Sequence, residues 1–192
     1  MENEKIRSFI AVKVPQNVKS LMTDAMAAFH DLDPYVRWVK IEGVHLTLKF
    51  LGNIETSQME PVSECINEAV EGQRPFRVTV GGTGVFPNIR NPRVLWIGLS
   101  EDRDELSLIY EKLESKLKGL GFEPETRPFN PHLTLGRFRD SRKGGRVING
   151  EMLEKAAPGP ESFMVDRVFL MRSRLHPAGA KYTVLKEQML SG

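Results

Sequence analysis

A single cysteine in 192 residues leaves this chain with no internal disulfide and no cysteine-built zinc site. That thiol, Cys65, falls in a stretch of helical periodicity and reads as a buried structural residue rather than a reactive one. No apolar run approaches the length needed to span a bilayer. The N-terminal MENEKIRSFIAVKVP is acidic where a secretory leader is basic, and its apolar run is short and broken by charge. The expectation is a cytoplasmic protein with no membrane partner. An excess of one charge is also missing: 27 Lys and Arg stand against 25 Asp and Glu, for a net charge of +2. Bulk charge therefore permits an anionic ligand without demanding one. A G-x-S-x-G elbow is absent, and so is His-x-x-x-His spacing. Gly81-Gly82-Thr83-Gly84 has neither a Walker lysine nor a following helix, so it reads as a turn or bulge between strands.

The periodicities that are present mix strands and helices. Lys5 to Val14 reads as a strand, and Pro15 opens a helix carrying Val18, Leu21, Met22, Ala25 and Phe29. Val36 to Val39 is a short strand and His45 to Leu51 a stronger one, with Gly52-Asn53 turning the chain. A helix follows over Thr56 to Val70, then strands over Phe76 to Val80 and Arg93 to Leu99. Ser100 to Asp104 looks like a helix start, with Leu106, Ile109, Leu113 and Leu117 forming the apolar stripe. Pro131 to Phe138 is a strand, Arg139 to Gly145 a polar loop, and Met152 to Ala157 a short helix. Phe163 to Met171 and Lys181 to Gln188 are the last two strands. This order departs from strict βαβ alternation and predicts an α+β fold with antiparallel sheets. No linker divides it, so residues 1–192 read as one domain.

Two of the four histidines open identical tetrapeptides, His-Leu-Thr-Leu, at His45–Leu48 and His132–Leu135. Alternation in a strand projects His45 with Thr47, and His132 with Thr134, while the leucines face a core. Packing explains the leucines. It does not explain the same histidine and threonine on the opposite face in both halves of the chain. Two imidazoles on opposite sides of a phosphorus can serve as acid and base in one in-line displacement. A threonine hydroxyl can donate to a non-bridging oxygen and orient it. Such a site needs no metal and no cofactor. The symmetry of the two blocks leaves acid and base unassigned.

The blocks lie nearly half the chain apart, within WVKIEGVHLTLKFLGN (Trp38 to Asn53) and RPFNPHLTLGRF (Arg127 to Phe138). With GVFPNIRNPRVLWIGL and LMRSRLHPAGAKYTVL, these segments resemble the 2H phosphoesterase superfamily, in its LigT/ThpR-like branch of RNA 2′,3′-cyclic phosphodiesterases. The resemblance implies a two-lobed fold whose two antiparallel sheets face a central cleft, with helices outside. It implies hydrolysis of 2′,3′-cyclic phosphate ends on RNA to 2′-phosphates. It also implies that His132 is the proton acceptor and His45 the donor, with Thr47 and Thr134 holding the phosphate.

Around the motifs, four residues are candidate substrate contacts. Lys49 shares the His/Thr face by parity. Arg137 falls on the leucine face by strict alternation, and only a bulge, or a strand ending at Gly136, turns it to the cleft. Phe129 and Tyr182 can stack on a base, although core packing is the plainer reading of both. Phe50 reads as core, and His30 and His176 as surface residues. RFRDSRKGGR, from Arg137, holds five basic residues and one acid, which suits a solvated loop or an RNA-steering one. Two other functions stay open. One is a 2′–5′ RNA ligase or a phosphodiesterase of small cyclic nucleotides on the same site. The other is an RNA- or nucleotide-binding module without catalysis, which has no use for a proton-transfer pair. The expected partner is RNA ending in a cyclic phosphate, such as a tRNA fragment, and the chain is expected to act as a monomer.

Overall fold

A computed structural model describes residues 4–99, 104–177 and 179–192. The N-terminal strand β1 (Lys5–Lys13) leads through Pro15, whose extended backbone forms the N-cap, into α1 (Gln16–Ala28). Val18, Met22 and Ala25 are buried at helical spacing. Next come β2 (Val36–Trp38), β3 (His45–Glu55) and α2 (Met59–Val70). The strand pair β4 (Phe76–Phe86) and β5 (Val94–Leu99) precedes α3 (Asp104–Gly119), which buries Leu106, Ile109, Leu113 and Leu117. Residues 100–103 of the expected helix start lie outside the described residues. The chain closes with β6 (His132–Phe138), α4 (Ser141–Val147), α5 (Gly150–Lys155), β7 (Glu161–Val165), β8 (Arg167–Arg174) and β9 (Lys181–Met189).

The strands form two antiparallel sheets, ordered β3-β1-β8-β9 and β2-β6-β5-β4-β7. This is the α+β fold with antiparallel sheets expected from the element order, and the two sheets are what the family resemblance implies. On the first sheet, α3 packs against β3 and α2 against β8 and β9. On the second, α1 meets β7 and α5 meets β4. The motif leucines of both blocks, Leu46, Leu48, Leu133 and Leu135, belong to one continuous core. The two motif strands, β3 and β6, come into contact with each other.

Four local readings need correction. Gly52-Asn53 does not turn the chain; β3 continues to Glu55, and Gly52, at φ 72°, follows a bulge opposite Ser8 and Phe9. The glycines at 81–84 do hold a bulge, between Gly81 and Thr83, but it lies within β4, which runs on to Phe86, and not between two strands. Residues expected as a polar loop form α4, nucleated by the Asp140 carboxylate, which accepts from the backbone N–H groups of Arg142 and Lys143. Its Gly144 is where the helix meets the Phe138 ring; a Cβ there would sit 2.5 Å from it. Finally, Phe163 to Met171 is two strands. The chain leaves one sheet after Val165 and joins the other at Arg167.

Candidate active site

Each His-Leu-Thr-Leu block behaves as its alternation requires. Leu46, Leu48, Leu133 and Leu135 are all buried, while His45, Thr47, His132 and Thr134 are partly exposed on the other face. The two strands then bulge at the same place. Thr47 sits opposite Ala11 and Lys49 opposite Ile10, so Leu48 is the extra residue. Likewise Thr134 sits opposite Trp96 and Gly136 opposite Leu95, so Leu135 is extra. One inserted residue inverts the parity of everything after it.

That inversion moves three expected residues. Lys49 leaves the His/Thr face for the core side, where it is buried. Its ammonium pairs with Glu114 of α3 at 2.8 Å and donates to the Glu123 carbonyl at 2.7 Å. Phe50 moves the other way: 66% exposed rather than core, it joins the histidine face opposite Phe9. Arg137, the residue five beyond His132, likewise turns onto the histidine face and is exposed. Phe50 and Arg137 thus occupy equivalent positions in the two blocks.

The imidazoles are held identically. His45 Nδ1 lies 2.8 Å from the carbonyl of Gly43, and His132 Nδ1 lies 2.8 Å from that of Asn130. A carbonyl can only accept, so each Nδ1 carries a proton and donates it. In the neutral ring that leaves Nε2 as the free base. Burial pushes both histidines below the ordinary imidazole value of 6.5, partly offset by the bond to the carbonyl. The Arg137 charge lowers His132 further.

Aromatic rings fix the two imidazoles from the side. Phe9 stacks on His45 at 4.5 Å, and Tyr182 meets its edge at 4.9 Å. Phe86 meets the edge of His132 at 5.0 Å, and Trp96 lies at 6.4 Å. Trp96 lies flat because Gly84 has no side chain; a Cβ there would fall 2.3 Å from the indole. Beside Trp96 a groove of about 650 Å³ opens toward Asn88, Ile89 and Arg90. Of the two candidate stacking residues, Tyr182 borders the site, 39% exposed. Phe129 instead stacks on Tyr110 at 4.1 Å. His30 is a surface residue beside Asp31, and His176 is exposed. Cys65 is buried. Phe9, Phe86 and Trp96 carried no signal in the chain, since an aromatic in a strand reads as core by default.

Among the described residues, no group of three or more His, Cys, Asp or Glu side chains converges as a metal site. On the two contacting strands, each block presents one Nε2 base and one hydroxyl donor on the same face, a set suited to proton transfer about an anionic centre.

Comparison with known proteins gives a consistent result. The model of the 2′-5′ RNA ligase superfamily matches residues 17–177. An RNA 2′,3′-cyclic phosphodiesterase of Methanothermobacter thermautotrophicus is 33% identical over 181 residues, covering 93% of this chain and 96% of that one. A protein of the same name from Thermotoga maritima is 33% identical over 187 residues, covering 97% of each. The Thermus thermophilus protein TT0787 superposes with a TM-score of 0.80 at 27% identity, over 97% of this chain and 99% of that one. E. coli LigT complexed with 3′-AMP superposes with a TM-score of 0.78 at 26% identity, over 98% and 100%.

Proposed function

This chain belongs to the 2′-5′ RNA ligase superfamily, and from that membership and its paired histidines we infer that it hydrolyses the 2′,3′-cyclic phosphate ends of RNA. The observation that carries the inference is the matched geometry of the two blocks. Each presents an Nε2 base, with Nδ1 tied to a carbonyl at 2.8 Å, beside a threonine on the same strand face.

The roles follow from the chemistry and the family resemblance. His132 Nε2 takes a proton from water as the water oxygen bonds to phosphorus. His45, protonated on Nε2, gives its proton to the 3′-oxygen as the P–O3′ bond breaks. The product keeps the phosphate on the 2′-oxygen. Thr47 and Thr134 donate to the non-bridging oxygens, where charge builds in the transition state. After one turnover His132 is charged and His45 neutral, and exchange with solvent resets them. No step calls for a metal. We read the whole chain as one bilobal, monomeric catalytic unit in the cytoplasm; no helix among the described residues is long and apolar enough to cross a membrane. tRNA fragments ending in a cyclic phosphate suit it as substrates. The family's name also supports ligation: a 5′-hydroxyl in place of water would yield a 2′–5′ linkage by the same proton transfers.

The test is hydrolysis of an RNA ending in a 2′,3′-cyclic phosphate, with EDTA present. The expected product is a 2′-phosphate. His45→Ala and His132→Ala should each slow turnover by roughly 10²–10⁴-fold while circular dichroism shows an intact fold. Near-normal turnover in either variant would rule out the two-histidine mechanism. A 3′-phosphate product would reverse the leaving group.

A further inference from the structure

His132 opens β6 at the end of an irregular strap, residues 120–131, that leads in from α3. The Asn130 carbonyl that takes the Nδ1 proton of His132 sits in that strap. Its counterpart in the first block is held by local backbone. Gly43 ends the 3₁₀ turn Ile41–Gly43, closed by bonds from Gly43 N–H to Lys40 and from Val44 N–H to Ile41. The strap has no such support. Residues 123–128 and Asn130 are exposed. Among the described residues, no backbone–backbone hydrogen bond ties down residues 123–130.

Side chains anchor the strap instead, and they converge on Glu114 of α3. The Glu114 carboxylate pairs with Lys49 at 2.8 Å and accepts from the Glu125 N–H at 3.0 Å. The Lys49 ammonium also donates to the Glu123 carbonyl at 2.7 Å. Nearer the histidine, Phe129 stacks on Tyr110, one helical turn before Glu114. Lys49 lies on the strand of the first block, so one buried pair joins the strand of His45 to the approach to His132. Such a pair is weak evidence for stability, because desolvation of both ions offsets their attraction. Its bonds to two backbone groups of a strap without backbone ties point to a positional role.

We propose that Glu114, with Lys49, is a positioning residue for the general base: the pair anchors the strap that carries the Asn130 carbonyl, and so holds His132 in its Nδ1–H tautomer with Nε2 free. This rests on the reading of His132 as the base of a cyclic phosphodiesterase.

The test joins imidazole nitrogen NMR of the free protein to kinetics on an RNA ending in a 2′,3′-cyclic phosphate. Lys49→Met/Glu114→Leu removes both charges and both backbone contacts, and should melt near wild type. His132 should then show both tautomers, while His45, tied to Gly43, keeps its Nδ1–H. The kcat should fall on the order of 10²-fold with KM little changed, since neither side chain reaches substrate. Lys49→Met/Glu114→Gln keeps an acceptor for the Glu125 N–H and should recover part of that loss. Phe129→Ala leaves the ion pair in place and loosens only the stack on Tyr110. It should move His132 in the same direction and leave His45 alone, and it decides the matter if the double variants do not fold. An unchanged His132 tautomer with unchanged kcat in a folded variant overturns the proposal, as does an equal change at His45. If wild type cleaves no cyclic phosphate, the reading of the site falls, and the His132 tautomer alone decides whether the anchor exists.

Discussion

Burial of the imidazoles sets where the site works on the pH scale. Both histidines titrate below 6.5 because their charged forms lose solvation. The productive enzyme carries one proton on the pair, and that form is most populated between the two pKa values. The kcat/KM profile for a cyclic-phosphate substrate should therefore be bell-shaped, with its maximum on the acid side of pH 6.5. A maximum in the alkaline range would contradict the burial of the pair. The same shifts act on stability in a definite direction. The unfolded chain binds these protons first, so their contribution is present above about pH 6.5 and is lost as the pH falls below it. At this scale the four motif residues were readable, because a repeated His/Thr pair at strand spacing has no packing explanation. The carbonyls of Gly43 and Asn130 were not, because a backbone acceptor two residues back leaves no trace in side-chain type.

Among the secondary-structure elements, the bulge decides which residues can reach a substrate. Alternation held from His45 to Leu48 and from His132 to Leu135, and it failed one residue later in both strands. Lys49, Phe50 and Arg137 changed faces together for that one reason. Period-two reasoning cannot see a bulge, since the inserted residue is an ordinary leucine. Gly136 gave a hint, and its packing can be tested. Gly136→Ala should destabilise the protein by about 1–3 kcal/mol through overpacking against Val36. Val36→Ala in the same chain should recover part of that loss in urea unfolding. Equal midpoints for wild type and Gly136→Ala would mean that β2 is free to move. Arg139 to Gly145 failed for a related reason: two glycines and four charges suggest a loop, but Asp140 caps a helix whose glycines make close contacts.

The molecule as a whole is interlaced. The helix α3 follows β5 of one sheet and packs on β3 of the other. The chain crosses between sheets at Asp166, inside what reads as one continuous strand. Element types were readable from periodicity; this exchange was not, because hydrophobic alternation does not say which sheet a strand joins. The Lys49–Glu114 pair, with side chains 7% and 14% exposed, ties α3 to β3. Lys49→Met should strand the carboxylate and cost about 3–5 kcal/mol, while replacing both partners with apolar residues should recover most of it. Thermal unfolding of the single and double variants checks this. A loss of activity at unchanged stability in Lys49→Met would instead return the lysine to the substrate.

The near-identity of the two blocks also raises a question of direction. Two equivalent histidines, two equivalent threonines and two equivalent bulges would accept a cyclic ester in either orientation, releasing the 2′- or the 3′-oxygen. Along the histidine face the blocks first differ five residues past each histidine, where one offers the ring of Phe50 and the other the charge of Arg137. Regiochemistry would then be a matter of broken symmetry: Phe50 against Arg137, and the different rings about the two imidazoles, would tell a cyclic ester which way round to lie.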